Sequence, residues 1–165
     1  MRTTNIALTA LLMVAPACLA QGTATHAEKN APVVFVCEHG SVKSLIAASL
    51  FDQSAANRGL PFRAVSRGVN PDERVPPGIA AALLDDGFDV EGFRPQGLSP
   101  DDVAGATRVV AIGVDLAANG DEARAPIQSW DDVPAASVDY SAARAALQRH
   151  IDELLDDLQQ AARTP

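Results

Sequence analysis

Apolar and polar positions alternate along the chain with two periods, one of strands and one of helices. Val33-Val34-Phe35-Val36 is an unbroken β-branched and aromatic run, the pattern of a strand covered on both faces. Ser44 to Arg58 is alanine-rich and stops at Gly59, which predicts a helix with a glycine stop. Phe62 to Ser66 alternates as a second strand, and Pro76-Pro77 opens a helix that runs through Leu84 and ends at Gly87. Ser99-Pro100-Asp101-Asp102 reads as a helix start, with a capping hydroxyl, a proline at the first position and an acidic first turn. Val109-Val110-Ala111-Ile112 predicts a third buried strand, and Pro126 to Trp130 a short fourth. Leu147, Ile151, Leu154, Leu155 and Leu158 share one face of a final helix. Strands alternating with helices predict a parallel sheet covered on both faces, and no internal repeat interrupts the pattern. The long loops Arg67 to Val75 and Val114 to Ala125 fall where such sheets bind ligands.

The N-terminus has a different pattern. After Arg2, Ile6 to Ala20 carries no charge and ends in small residues. Such a run is shorter than the ~20 apolar residues that span a bilayer. It predicts a signal peptide over residues 1–20, cleaved after Ala17 or Ala20, rather than an anchor or a buried helix. Cys18 as the first residue of a lipoprotein is a weaker alternative. Residues 21–31 read as a polar tether and residues 32–165 as the domain. The expected location is therefore periplasmic or secreted, with no membrane contact beyond the signal segment.

The chain has 165 residues, 47% of them hydrophobic, and a formal net charge of −8. That allows one core, and an acidic surface argues against nucleic acid or an anionic membrane as partner. The two cysteines exclude a disulfide scaffold and a cysteine-built zinc cluster. With Cys18 in the signal, Cys37 stands alone, either as an apolar filler or as a working thiol.

Its neighbours favour the second. Cys37-Glu38-His39-Gly40-Ser41-Val42-Lys43-Ser44 follows the first strand and leads straight into a helix. Amides and the positive end of that helix would hold a tetrahedral oxyanion and favour the Cys37 thiolate. Lys43 adds positive charge, Gly40 permits a tight turn, and the hydroxyls of Ser41 and Ser44 orient the loop or donate to the sulfur. The bland alternative is a plain strand–helix turn over a core cysteine.

This stretch, CEHGSVKS after VVFV, resembles the loop of the low-molecular-weight protein-tyrosine-phosphatase superfamily, which includes thioredoxin-linked arsenate reductases. The family motif is a cysteine, five residues, then Arg-Ser/Thr. The resemblance extends through SRGVNPDERVPPGIAAALLDDGFDVEGFRPQGLS and SWDDVP to the last helix. It implies a flavodoxin-like three-layer α/β/α fold whose four-stranded parallel sheet has the order 2-1-3-4. It implies Cys37 as nucleophile, Glu38 to Lys43 (Glu38, His39, Gly40, Ser41, Val42, Lys43) as the oxyanion loop and Ser44 as the hydroxyl at the thiolate. The general acid would be Asp131 or Asp132, with Asp132 favoured by its distance to Pro134. No cofactor is implied.

Four departures qualify that expectation. Lys43 stands at the arginine position, although the 13 basic residues include only Lys29 and Lys43 as lysines. Lysine is a point charge where arginine offers a planar fork. Glu38 brings a carboxylate to a loop meant for a dianion, and His39 stands where the family often has glycine. A metal held by Cys37, Glu38 and His39 is the less favoured reading, because a helix N-terminus repels cations. The stretch AIGVDLAANGDEA lacks the two further cysteines of the reductase branch. The leading expectation is hydrolysis of a phosphate monoester, phosphotyrosine included, from a small molecule or phosphoprotein. The alternatives are an oxyanion-binding or redox-sensing module, and arsenate reduction with an external thiol.

Overall fold

The computed structural model describes residues 31–116 and 125–164. The expected signal peptide with Cys18, residues 21–30 of the tether and residues 117–124 of the second long loop lie outside the described residues. Along the chain run β1 (Val33–Cys37), α1 (Lys43–Asn57), β2 (Ala64–Gly68), α2 (Pro77–Asp85), α3 (Pro100–Ala104), β3 (Arg108–Ala111), β4 (Ile127–Ser129) and α4 (Tyr140–Arg163). The strands form one parallel sheet in the order β2-β1-β3-β4. This is the flavodoxin-like order expected from the resemblance.

β1 is buried at all five positions, so its side chains divide between two cores. Val33, Phe35 and Cys37 face α1, α2 and α4, where Leu50, Phe51, Leu83, Leu147, Ile151 and Leu155 pack. Val34 and Val36 face the other side, with Val103, Val109, Ala111 and Leu116. The odd-numbered positions of β1 therefore bring Cys37 to the carboxyl edge of the sheet on the α1 and α4 side.

The second strand lies two residues later than its alternation suggested. Its ladder begins where the Val33 N–H donates to Arg63 O (2.8 Å) and ends where Cys37 pairs with Gly68. Backbone register against β1 thus overrides the side-chain pattern of Phe62 to Ser66.

β2 is tied to the opposite layer by a two-pronged ion pair. Arg67 Nε donates to Asp102 Oδ2 at 2.9 Å, and Arg67 Nη2 lies 2.8 Å from Asp102 Oδ1. Asp102 also closes the capping box of α3, exchanging hydrogen bonds with Ser99. Burial pushes the Asp102 carboxyl up, but the Arg67 guanidinium and the Ser99 hydroxyl and amide together hold it below the usual carboxylate range. A depressed folded-state pKa stabilises the fold fully above the ordinary ~3.9, and that contribution is lost as pH falls through the lower folded value. Asp102→Asn should therefore cost about 1–3 kcal/mol at pH 7, and less at pH 3. Urea unfolding at the two pH values measures the difference; an equal loss at both would show that the charge contributes nothing.

Candidate active site

The stretch from Cys37 to Ser44 leaves β1 and enters α1 without a conventional cap. Val42 occupies the N-cap position at φ −126° and ψ −99°, and no side chain accepts from the first turn. Helices normally satisfy these first amides with a capping oxygen. Here, among the described residues, none of the backbone N–H groups from Glu38 to Leu45 donates a hydrogen bond.

Where those amides point follows from their carbonyls. Cys37 O accepts from Val69 N at 3.0 Å, Glu38 O from Asn70 N at 2.8 Å and His39 O from Asp72 N at 3.0 Å. Gly40 O accepts from Ser66 Oγ at 3.0 Å. Four successive carbonyls thus turn toward the segment 66–72. In a planar trans peptide the N–H points opposite to the C=O, so the amides of Glu38, His39, Gly40 and Ser41 turn away from that segment. With the open first turn of α1 they form a cradle of backbone donors, the geometry that binds tetrahedral anions.

Two glycines permit this approach. Gly40 has φ +66°, and a Cβ on it would lie 2.8 Å from Gly68 N. A Cβ on Gly68 would lie 2.8 Å from both Gly40 N and His39 C.

Cys37 is buried, with 3% exposure. Its Sγ lies 3.0 Å from Ser44 Oγ, which lies 2.9 Å from Ser66 Oγ. Ser66 carries one proton, and Gly40 O can only accept it. Directed to Ser44 Oγ, or shared between Gly40 O and Ser44 Oγ, the Ser66 proton leaves that of Ser44 for the sulfur, the arrangement an ionised thiol requires.

The side chains expected on the oxyanion loop divide. Ser44 meets the sulfur, whereas Ser41, itself buried, donates to Asp72 Oδ2 at 2.5 Å. Glu38 and His39 are exposed. Glu38 accepts from Asn70 Nδ2 at 2.7 Å, and His39 Nδ1 lies 3.4 Å from Asp72 Oδ1. The carboxylate of Glu38 is therefore occupied at the rim, and Cys37, Glu38 and His39 do not converge as a metal site. Among the described residues, no group of three His, Cys, Asp or Glu side chains is placed to hold a metal. Val42 contributes backbone at the N-cap, and its side chain packs on the core.

Lys43 reaches across to the loop after β3. A Cβ on Gly113, which has φ +65°, would lie 2.6 Å from Lys43 Nζ. The ammonium thus uses space that only glycine leaves there.

Asp131 and Asp132 are both exposed, in the loop that follows β4 at the same carboxyl edge of the sheet. Asp132 Oδ1 lies 2.7 Å from His150 Nε2 on α4. That hydrogen bond holds the Asp132 carboxyl below the usual range. Ser66, Gly68, Asn70, Asp72, Gly113 and His150 were not identified by their chemistry in the sequence, since none carries a local motif. The nearest signal was the stretch SRGVNPD, which contains the first four.

Gly68→Ala should destabilise the fold by about 1–3 kcal/mol and widen the cradle. Its melting temperature and the protection of Cys37 from iodoacetamide by phosphate should both fall. An unchanged melting temperature with unchanged protection would show that the loop does not depend on this contact.

Comparison with known proteins places this geometry. YfkJ from Bacillus subtilis superposes with a TM-score of 0.68 at 19% identity, covering 80% of this chain and 96% of its own. A low-molecular-weight protein tyrosine phosphatase from T. tengcongensis gives 0.66 at 24% identity, covering 76% and 98%. A thioredoxin-dependent arsenate reductase of Corynebacterium glutamicum gives 0.63 at 20% identity, covering 82% and 68%. No curated protein sequence matches the chain. Residues 32–128, which hold the cradle, the sulfur, β1 to β3 and two of the three residues of β4, match the sequence model described as low molecular weight phosphotyrosine protein phosphatase, and the chain belongs to that family.

Proposed function

We propose that the protein is an exported phosphatase that uses Cys37 to hydrolyse a phosphate monoester, phosphotyrosine among the candidates. The observation that carries this reading is the run of unpaired amides from Glu38 to Leu45 beside Cys37. Backbone donors fixed before the reaction need no reorganisation as charge develops on the transferred group.

The sulfur attacks phosphorus, an S–P bond forms, and the P–O bond to the leaving group breaks. An aspartic acid of the pair Asp131 and Asp132 protonates the departing oxygen. Water then attacks the thiophosphate, the same aspartate accepts its proton, and phosphate leaves with the sulfur restored. The amides and Lys43 bind the non-bridging oxygens throughout. Ser44 donates to the sulfur whenever it is anionic.

Family membership and the cradle support this reading, and the uncharged run of Ile6 to Ala20 supports export. A mature chain beginning between residues 18 and 21, read by mass spectrometry of the secreted protein, is the expected outcome for export.

A second reading follows from Lys43 and from the rim carboxylates Glu38 and Asp72: a module that binds a small oxyanion with little turnover. Purified protein should release phosphate from p-nitrophenyl phosphate, and Cys37→Ser should abolish the release. Lys43→Arg should raise the rate by about 10²-fold if a lost fork limits it. No release above the Cys37→Ser background, together with calorimetric binding of phosphate, would replace the phosphatase by the binding module.

A further inference from the structure

Outside the cradle, one cluster joins aromatic packing to titratable groups. Trp130 is 1% exposed and packs on Phe35, two residues before the nucleophile, with ring centroids 5.5 Å apart. On its other contact it stacks on His150, centroids 4.8 Å apart and planes 16° from parallel. The same imidazole holds Asp132 through Nε2 at 2.7 Å. His150 therefore grips both ends of the three-residue segment Trp130-Asp131-Asp132, one by stacking and one by hydrogen bond.

The remaining charges around the ring are few. Glu153 Oε2 on α4 lies 4.0 Å from His150 Nδ1, and Arg149 on α4 also acts on Asp132. The loop contributes Asp131 and Asp132. Val133 is buried immediately after them, so the segment is anchored on both sides of the exposed aspartates.

A general acid must carry a proton when the leaving oxygen departs. Asp132, bonded to His150 on α4, is occupied elsewhere and kept as a carboxylate. Asp131 has no such partner among the described residues.

We infer that His150 is a positioning residue that holds the loop after β4 with Asp132 turned to α4, and so commits Asp131 to proton transfer at the nucleophile. This inference rests on the phosphatase reading and departs from the sequence expectation, which favoured Asp132. His150 does not touch the reacting atoms. It acts through the loop.

Two measurements test it. The first compares p-nitrophenyl phosphate, whose leaving group needs little protonation, with phenyl phosphate, which needs much. Asp131→Asn should lower kcat on phenyl phosphate by about 10²-fold or more, and on p-nitrophenyl phosphate by less than about a tenth of that factor. Asp132→Asn and His150→Ala should each lower kcat about 3–10-fold on both substrates with KM nearly unchanged, and His150→Gln should recover part of the loss. A steep, leaving-group-dependent loss in Asp132→Asn but not in Asp131→Asn would overturn the assignment.

The second measurement needs no turnover. Trp130 is the only tryptophan of the chain, so its fluorescence reports this contact alone. An imidazole stacked on an indole lowers its emission. At one fixed pH, emission should be higher in His150→Ala than in the unaltered protein. Equal emission in the two proteins would dismiss the stack, and with it the latch, whether or not the protein hydrolyses phosphate. A clear difference with no hydrolysis at all would retain the stack and overturn its catalytic consequence.

Discussion

The site depends on one constraint, the outward turn of four successive carbonyls. Val69, Asn70, Asp72 and Ser66 take up the carbonyls of Cys37, Glu38, His39 and Gly40. Peptide geometry then fixes the opposite face of the loop as a donor surface. A buried amide without a partner is costly, and a loop that accumulates them is stable only if its other polar atoms are fully satisfied. The segment after β2 does this by continuing the parallel pairing of β1 beyond the strands themselves. The anion cradle is in this sense the frayed end of the β1–β2 ladder, with acceptors paired and donors left over.

That dependence passes responsibility to β2. Its register against β1 sets Gly68 opposite Cys37 and against Gly40, where a side chain would collide with backbone. Its Ser66 serves both Gly40 O and Ser44 Oγ, and so connects the loop to the hydroxyl beside the sulfur. Its Arg67 is clamped to Asp102 on the other layer. Gly68 O accepts from Leu98 N, and Gly68 N donates to Gln96 O, which secures the strand's free edge. A strand with little apolar character of its own is thereby held in place by polar contacts on both sides. A displaced β2 would therefore disturb the surroundings of Cys37 sooner than the core.

How much of this was legible in the sequence follows from which interactions are local. The continuous apolar run of β1 and the 3.6-residue spacing of α4 gave those elements directly, because burial on two faces or on one leaves a period. Cys37, Gly40, Lys43 and Ser44 were visible because they lie in one strand–helix junction whose geometry is set by neighbours in the chain. Ser66, Asp72, Gly113 and His150 were not, since each acts across 18 or more residues of sequence. The displaced start of β2 has the same origin: alternation reports side-chain burial, whereas strand limits are set by pairing with a distant partner. The side-chain directions of Glu38 and Ser41 likewise depend on Asn70 and Asp72, which no rule of spacing connects to them.

The charge distribution shows why a protein of net charge −8 can still offer a site to an anion. The donors in the cradle are backbone dipoles, which carry no net charge and need no neutralising counter-ion. Lys43 supplies one formal positive charge at the point where α1 begins, where the helix dipole has the same sign. The carboxylates that would oppose an anion are tied down at the rim, Glu38 by Asn70 and Asp72 by Ser41 and His39. Local preorganisation thus outweighs the global field at short range, because the field of distant surface charges is screened within about 8–10 Å at physiological ionic strength. The overall acidity acts instead on approach, where it disfavours polyanionic partners.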